Sequence, residues 1–306
     1  MKELKKIITT ALVALVFFAA VIYAKNAWSY KLSNDSMGVR SVVAQKHIDT
    51  LFIGSSAYRK GIDMYMIEKE LPGKNFMLTY NGNQPFNMAI ELQEILASGC
   101  TIDRLILDFN PSMVDRGADL SDKRLLWDIS MDGKRKLWSE LKKREGAGLF
   151  TWYDYWVSSN VDYMVTYPVA KPMISARYYL GGSASTEMSA GLSKEELEKL
   201  EIIENPGIDE LQYESINAII DLCQSKQIEL IFLECPRYIT MAEDINYAEK
   251  SKALKELIES KGVSVITGKE LNFDNTNNLY YADLTHMSGD GSTVLTEKII
   301  ETLESM

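Results

Sequence analysis

An alternation of apolar strand patterns and amphipathic helix patterns runs through this chain. Short apolar runs bounded by turn residues predict five strands, at residues 48–53, 75–80, 103–109, 228–234 and 263–267. Apolar residues at helical spacing predict helices near residues 57–71, 86–98, 208–226, 243–260 and 289–304. Strands that alternate with helices pair in parallel, since each helix carries the chain back across the sheet. The sequence therefore predicts a three-layer α/β fold built on a mainly parallel five-stranded sheet.

A long mixed insertion, about residues 112–207, separates the third predicted strand from the helix before the fourth. It contains Trp127, Trp138, Trp152 and Trp156. Tryptophan fills irregular cores well, which favours a packing role. Insertions this long in compact domains are often functional, and loops at the carboxyl ends of strands build the sites of α/β proteins, which favours a lid or docking surface. Both interpretations stay open.

Residues 7–24 form an uncharged, mainly apolar run with three lysines before it and one after it. A helix of this length just crosses the hydrocarbon core of a bilayer, which is about 30 Å thick. The preceding lysines favour a cytoplasmic N-terminus. A cleaved signal peptide has the same charge pattern, but the run is long for one and ends in a poor cleavage site. We expect an anchor in residues 1–30, which makes a single-pass protein of the cell membrane, and an extracytoplasmic domain in residues 31–306.

Charge and composition exclude several classes of protein. The formal charge of -10 opposes nucleic-acid binding, which needs a basic surface to displace counterions from phosphate. No Gly-rich phosphate loop follows the first strand. The three cysteines are too widely spaced for a zinc knuckle. The insertion's scattered carboxylates are interpreted as a solvated face rather than a metal site: Asp119, Asp122, Asp128 and Asp132. The sequence predicts no metal, no cofactor and no nucleic-acid partner.

Two short motifs at opposite ends of the domain carry groups for nucleophilic catalysis. Gly54-Ser55-Ser56 follows the first predicted strand, and Asp283-Leu284-Thr285-His286 lies between the last strand and the last helix. Each motif alone is ordinary, because Gly and Ser suit turns and Asp and His often pair on surfaces. In a parallel sheet, however, both emerge at the carboxyl edge, where the sites of α/β proteins lie. Their joint occurrence predicts an active site at that edge.

The scarcity of histidine points to one general base. The chain contains only His47 and His286, and a serine nucleophile needs a base that titrates near neutral pH. His47 lies just before the first strand and is interpreted as solvated. His286 is therefore the predicted base, and Asp283, three residues earlier, can accept the other imidazole N–H. The alternative for Asp283 is that it only orders the loop.

The two motifs resemble the end blocks of the SGNH or GDSL hydrolases. That family carries its nucleophile in a Gly-Asp-Ser block directly after the first strand, and an Asp-x-x-His block before the last helix. FIGSSAYR matches the first block with Ser55 in the place of the Asp, and ADLTHMSGDG matches the second. The resemblance implies a flavodoxin-like SGNH fold and a triad of Ser56, Asp283 and His286. Ser55 stays open as the alternative nucleophile.

Two middle blocks of the family supply an oxyanion hole. The resemblance implies Gly82, in YNGNQP, as the backbone donor and Asn110, in LDFNP, as the side-chain donor, with Asn83 as a competing donor. The family's Gly-x-Asn-Asp motif is absent around Asn110. Ordinary turn chemistry accounts for Gly82 and Asn83 about as well.

The anchor, the GSS motif, the YRKGID that follows it and the insertion together are most similar to a membrane-tethered branch of the family. That branch includes the D-alanyl transfer proteins of teichoic acid modification and the SGNH partners of membrane-bound O-acyltransferases. The resemblance implies acyl transfer through a Ser56 acyl-enzyme onto an envelope polysaccharide or teichoic acid, with a membrane-bound O-acyltransferase as partner. The alternatives are a cell-surface esterase or deacetylase, and a non-catalytic envelope scaffold that binds carbohydrate.

Overall fold

The computed structural model describes residues 2–32, 38–143, 147–158, 193–199 and 207–306. Much of the second half of the predicted insertion therefore lies outside the described residues. A lid in that part of the chain stays a prediction from the sequence.

A five-stranded parallel sheet forms the centre of the domain. Its strands are β1 His47–Gly54, β2 Asn75–Thr79, β3 Thr101–Asp108, β4 Glu229–Leu233 and β5 Ser264–Ile266. They are ordered β2-β1-β3-β4-β5, and every pairing is parallel. This is the strand order of flavodoxin-like doubly wound folds. All five predicted strands are confirmed, and β1 and β3 lie at the centre of the sheet beside the point where the strand order reverses.

Helices flank the sheet and connect its strands. The chain begins with α1 Lys2–Leu32 and α2 Val39–Ala44, and β1 leads into α3 Ser56–Gly61 and α4 Met64–Glu70. Later helices are α5 Pro85–Ala97, α6 Leu125–Asp128, α7 Met131–Leu141, α8 Leu149–Tyr153, α9 Lys194–Lys199, α10 Glu210–Lys226, α11 Ile239–Ala242, α12 Ile245–Glu259 and α13 Gly289–Glu304. The helices predicted near 86–98, 208–226, 243–260 and 289–304 correspond to α5, α10, α12 and α13.

The prediction of a single helix near 57–71 is wrong, because the structure has two helices there, α3 and α4. Asp63 lies between the two helices, and its side chain accepts a hydrogen bond from the N–H of Tyr65 at 2.9 Å. That contact caps a new helix, because an Asp side chain satisfies an N–H that the first turn leaves open. The Asp63 N–H donates to Thr296 Oγ1 of α13 at 2.9 Å, which fixes the break against the last helix.

Alternate residues of the strands face two separate cores. Leu51, Leu105 and Leu107 point to one face, which α2, α5 and α10 cover. Phe52 and Ile106 point to the other face, which α3, α4 and α13 cover. Side chains alternate between faces because successive residues of a strand point in opposite directions. The predicted three-layer arrangement is thereby confirmed.

The described start of the insertion packs on the first of these faces. Leu125, Leu126 and Leu137, from α6 and α7, are buried in the core beside α5. Trp127 is also buried, and Trp138 packs against the same core. The packing interpretation therefore holds for these two tryptophans.

The N-terminal helix is longer than the apolar run that predicts it. Residues Lys2–Ala27 of α1 are long and apolar enough to cross a membrane, and no residue of their apolar window is buried against the domain. A signal sequence passes the same test of length and composition. The chain between the apolar run and β1 is partly helical, since α1 reaches Leu32 and α2 precedes β1. The division into residues 1–30 and 31–306 stays a prediction.

Candidate active site

The turn after β1 places Ser56 at the carboxyl edge of the sheet. Ser55 has extended backbone angles, and its hydroxyl oxygen accepts a hydrogen bond from the N–H of Ala57 at 3.2 Å. Ser55 thus caps α3, and Ser56 is the first residue of that helix. The first N–H groups of a helix have no acceptor inside it. The Ser56 N–H therefore lies where it can serve a group outside the helix, beside a partly exposed hydroxyl.

The structure brings Ser56, His286 and Asp283 together in one chain of contacts. Oγ of Ser56 lies 2.8 Å from Nε2 of His286, and Nδ1 of His286 lies 2.8 Å from Oδ2 of Asp283. The Asp283 carboxylate also accepts hydrogen bonds from the backbone N–H groups of Thr285 and His286, each at 2.8 Å. These backbone contacts fold the Asp-x-x-His segment into a tight turn. The three-residue spacing thus presents the imidazole edge to Ser56.

The surroundings of Asp283 favour its ionised form. Burial raises its pKa, but hydrogen bonds from His286 and Thr285 and the charge of His286 outweigh burial and hold the pKa below its ordinary value. An ionised Asp283 accepts a proton-bearing Nδ1, which leaves the Nε2 lone pair directed at the Ser56 hydroxyl. This is the orientation in which an imidazole can take a proton from a serine.

Ser55 has a different partner from Ser56. Its hydroxyl donates to Oδ2 of Asp108 at 2.6 Å, and its backbone N–H donates to the same oxygen at 3.0 Å. Ser55 is buried, and its Oγ also accepts from Ala57. The hydroxyl in contact with the candidate base is therefore that of Ser56, and Ser55 holds the turn.

Asp108 supplies a carboxylate that sequence reasoning missed. It ends β3, the neighbour of β1, and burial raises its pKa while Ser55 and the charge of Arg237 lower it in part. The Asp108 carboxylate contacts Ser55 from the adjacent strand. The available signal was an acidic residue at the buried end of an otherwise apolar strand.

Asn83, predicted as a competing oxyanion donor, contacts the turn that carries Ser56. Its Nδ2 donates to the carbonyl oxygen of Gly54 at 3.2 Å and to Oε2 of Glu91 at 3.3 Å. Asn83 is buried, so both amide hydrogens have interior acceptors. The Tyr80 N–H donates to the same Gly54 carbonyl at 3.3 Å. The loop after β2 is thereby fixed against the turn that carries Ser56.

Gly82 lies in this loop, two residues after Tyr80. Its φ of 57° lies in the left-handed region, and a Cβ added there would lie 2.8 Å from both Cβ and Oγ of Ser121. A side chain at this position would be strained and crowded, whereas Gly adopts the conformation freely. The glycine therefore has a local structural cause, and the backbone donor role implied by the resemblance stays a prediction.

The side chain of Asn110 contacts Ser55, the residue before the candidate nucleophile Ser56. Its Nδ2 donates to Oγ of Ser55 at 3.3 Å, and its Oδ1 accepts from the N–H of Ser112 at 3.2 Å. Its side chain also forms a hydrogen bond with Asp108. Asn110 thus reaches the predicted neighbourhood, where its amide supports Ser55 rather than pointing freely at a substrate.

Arg237 supports the base from the loop after β4. The side chain is buried, and its Nη1 donates to the carbonyl oxygen of Thr285 at 2.7 Å. The next residue, Tyr238, donates its N–H to the carbonyl of Leu284 at 3.3 Å. Two carbonyls of the Asp-x-x-His turn are therefore held by one loop. The sequence signal was a charged residue in the short loop after a buried strand, in Cys235-Pro236-Arg237-Tyr238.

Three side chains with metal-binding chemistry lie at the opposite edge of the sheet. Potential ligand atoms of His47, Asp49 and Asp103 lie within 4.8 Å of one another. Nε2 of His47 is 3.7 Å from a carboxylate oxygen of each aspartate. The group is largely exposed to water. Its exposure fits the solvated interpretation of His47, and we assign no metal role to it.

The chain is similar to several solved structures, all at low sequence identity. No family model matches the chain, and no curated protein matches it. A GDSL-like lipase from Bacteroides thetaiotaomicron is similar, with 9% identity, coverage of 86% of this chain and 89% of that chain, and a TM-score of 0.40. A proposed acylhydrolase from Bacteroides fragilis has 8% identity, 85% and 87% coverage, and a TM-score of 0.40.

A third solved structure, a proposed platelet activating factor from Streptococcus pneumonia, has 12% identity, 96% and 99% coverage, and a TM-score of 0.41. Identities and scores this low establish neither a family nor a function. What the chain itself shows is a serine hydroxyl, an imidazole and a carboxyl group in hydrogen-bonded series at the carboxyl edge of a doubly wound sheet.

Proposed function

We propose that this protein is an acyl-ester enzyme of the esterase type, with Ser56 as nucleophile, His286 as general base and Asp283 as the residue that orients the base. The contact of 2.8 Å between Ser56 Oγ and His286 Nε2 carries the proposal. A serine hydroxyl is a weak nucleophile until an adjacent base accepts its proton. The proposal favours an enzyme over a non-catalytic scaffold, since three mutually oriented groups exceed what a carbohydrate-binding surface requires.

The proposed reaction proceeds in two steps. Ser56 Oγ attacks the carbonyl carbon of an ester while its proton passes to Nε2 of His286, and Asp283 stabilises the imidazolium that forms. The tetrahedral intermediate collapses, the bond to the alcohol oxygen breaks, and His286 returns the proton to the leaving alcohol. A water or a second hydroxyl then attacks the acyl-enzyme, with His286 again as base, and Ser56 is regenerated.

We assign the oxyanion to backbone donors. The Ser56 N–H at the start of α3 is the first, and the Gly82 N–H in the adjacent loop is the second. The side chains of Asn83 and Asn110 have interior acceptors and hold the geometry of this turn. The loss of one donor from such a hole typically slows the reaction about 10²- to 10³-fold.

The second substrate in our proposal is a hydroxyl of an envelope glycopolymer, a polysaccharide or a teichoic acid. The support is the apolar α1, which would hold the domain on the outer side of the cell membrane, together with the resemblance of the GSS motif, the YRKGID that follows it and the insertion to membrane-tethered acyl transfer proteins. An anchored site meets a membrane-borne acyl donor at high effective concentration. A membrane-bound O-acyltransferase that delivers the acyl group is the proposed partner.

Hydrolysis of p-nitrophenyl acetate by the full chain in nanodiscs tests the chemistry. The wild type should release nitrophenol, and Ser56→Ala should reduce the rate to that of buffer. Added glycerol should divert acyl groups from acetate to acetylglycerol if transfer competes with hydrolysis. Equal rates for the wild type and Ser56→Ala would contradict the enzyme, whereas acetate as the sole product at every glycerol concentration would contradict only the transfer step.

A further inference from the structure

The C-terminal part of α1 is hydrogen-bonded to the insertion. Nζ of Lys25 donates to the carbonyl oxygens of Trp156 at 3.3 Å and Val157 at 2.6 Å. Nδ2 of Asn26 donates to the Trp156 carbonyl at 3.1 Å. These acceptors lie in a π-helical turn, Asp154–Ser158, that directly continues α8. The apolar helix and the segment Leu149–Ser158 therefore share one hydrogen-bonded contact.

Lys134 of α7 adds a further hydrogen bond to the same part of α1. Its side chain is buried, and its Nζ donates to the carbonyl oxygen of Asn26 at 2.9 Å. The hydroxyl of Tyr155 donates to the backbone carbonyl of Lys134 at 2.7 Å. A buried Lys with a fixed acceptor resists displacement, because separation would leave a buried polar group unsatisfied. The position of Leu149–Ser158 relative to α1 is thus set by several buried contacts.

These contacts place the segment at the level where α1 leaves a bilayer. Lys25 is the first charged residue after the apolar run 7–24, so it marks the boundary between hydrocarbon and headgroups. The aromatic rings of Trp138, Tyr155 and Trp156 form a cluster at this point, with centroid separations of 4.9 to 6.3 Å. These rings pack against the core of the domain, so they hold the segment in place beside the end of α1.

The same ten-residue segment exposes apolar side chains. Leu149 is 77% exposed, Phe150 is 89% exposed and Tyr153 is 50% exposed. A helix rises about 1.5 Å per residue, so Leu149 lies at most about 10 Å along the axis from Trp156. Headgroup layers extend roughly 5 to 8 Å on each side of the hydrocarbon core. With its axis along the membrane surface, this short segment keeps its exposed apolar residues at the depth of Trp156, within the headgroup layer beside α1.

We propose that Leu149–Ser158 is a second membrane contact, an interfacial helix whose apolar residues insert among the lipid headgroups beside α1. The partner is the bilayer surface itself. The burial of Leu149 and Phe150 in the interface removes apolar surface from water, as in other interfacial helices. Together with α1, this contact fixes the rotation of the domain above the membrane. The inference goes beyond the proposed chemistry and depends only on α1 spanning the bilayer.

Nitroxide labels on the full chain in phosphatidylcholine nanodiscs test this contact. The three native cysteines are all buried, so a thiol reagent will label an introduced surface cysteine. Phe150→Cys reports on the proposed contact and Val16→Cys on the centre of α1. Tyr65→Cys, on α4 at the opposite face of the sheet, is an exposed aromatic control. Oxygen concentrates in lipid and a charged nickel chelate stays in water, so their relaxation effects report the depth of each label.

The label at Phe150→Cys should be relaxed more by oxygen than by nickel, as at Val16→Cys, and the label at Tyr65→Cys should show the reverse. A lipid-like Val16→Cys with a water-like Phe150→Cys would overturn the second contact while leaving α1 as a membrane helix. Water-like behaviour at both positions would overturn the anchor and the contact together. Neither outcome bears on the role of Ser56.

Discussion

The hydroxyl oxygen of Ser56 lies 2.8 Å from Nε2 of His286, although the two residues are 230 positions apart. Ser56 enters this contact from the turn that ends β1, and His286 enters it from the turn before α13. Asp108 at the end of β3 holds the first turn, and Arg237 in the loop after β4 holds the second. The contact therefore depends on the doubly wound sheet, which brings distant turns to one edge.

Replacement of the candidate base should abolish catalysis while leaving the fold intact. His286→Gln keeps a polar side chain of similar size but cannot accept and return a proton near neutral pH. We expect kcat for ester hydrolysis to fall about 10³- to 10⁴-fold with little change in KM. His47→Gln, at the opposite edge of the sheet, is the matched control and should match the wild type. Comparable losses in both variants would remove His286 from its special role.

A side chain at Gly82 should distort the proposed oxyanion hole. Gly82→Ala places a Cβ 2.8 Å from Ser121 in a left-handed conformation, so the loop must move. Gly262→Ala is the control, because Gly262 also has a positive φ, 76°, but a Cβ there meets nothing within 4 Å. Both variants should lose about 1 kcal/mol of unfolding free energy. Only Gly82→Ala should slow ester hydrolysis, by about 10-fold or more, and equal rates would argue against a role of this loop.

The strands were predictable because each is a short apolar run between turn residues, and so were the two motifs at their carboxyl ends. The Asp63 break was missed because its cap depends on backbone geometry that periodicity does not reveal. Asp108 and Arg237 were missed for a different reason. Their roles come from contacts with segments that are distant in sequence, Ser55 for Asp108 and Thr285 for Arg237, and no spacing along the chain encodes such contacts. The sequence suggests Asn83 as an oxyanion donor, because Glu91, the interior acceptor of its amide, cannot be recognised before α5 is placed.

Arg237 should affect catalysis through the position of His286. Arg237→Lys keeps the buried positive charge near Asp108 but loses the guanidinium geometry that contacts the Thr285 carbonyl. We expect kcat to fall about 10-fold with KM unchanged. Arg237→Met also removes the charge that faces two buried carboxylates, which should cost about 3 kcal/mol of unfolding free energy. Wild-type kcat in Arg237→Lys would show that the Thr285 contact does not position the base.

Lys134 should make stability depend on pH above neutrality. Burial and the charge of Lys25 lower the pKa of Lys134 from 10.5 to about 7. Between these two values the unfolded chain binds more protons than the folded chain, so the unfolding free energy should rise with pH over that window. Lys134→Met should flatten this rise by up to a few kcal/mol, measured by denaturant unfolding in detergent at pH 6.5 and 9.5.

The exposed Lys136 on the same helix supplies the control for this slope. Lys136→Met should keep the pH dependence of the wild type, because its side chain stays in water. An equal slope in the wild type and Lys134→Met would show that Lys134 is not held in the buried contact with α1.

Covalent labelling by a fluorophosphonate tests the central assignment most directly. The reagent phosphonylates a serine hydroxyl that an adjacent base activates, and intact-mass measurement detects a single adduct. The wild type should gain one adduct, Ser56→Ala none, and Ser55→Ala one adduct at a reduced rate, since Ser55 only holds the turn through Asp108. An adduct that persists in Ser56→Ala and disappears in Ser55→Ala would contradict the account, and so would a wild-type chain that gains no adduct.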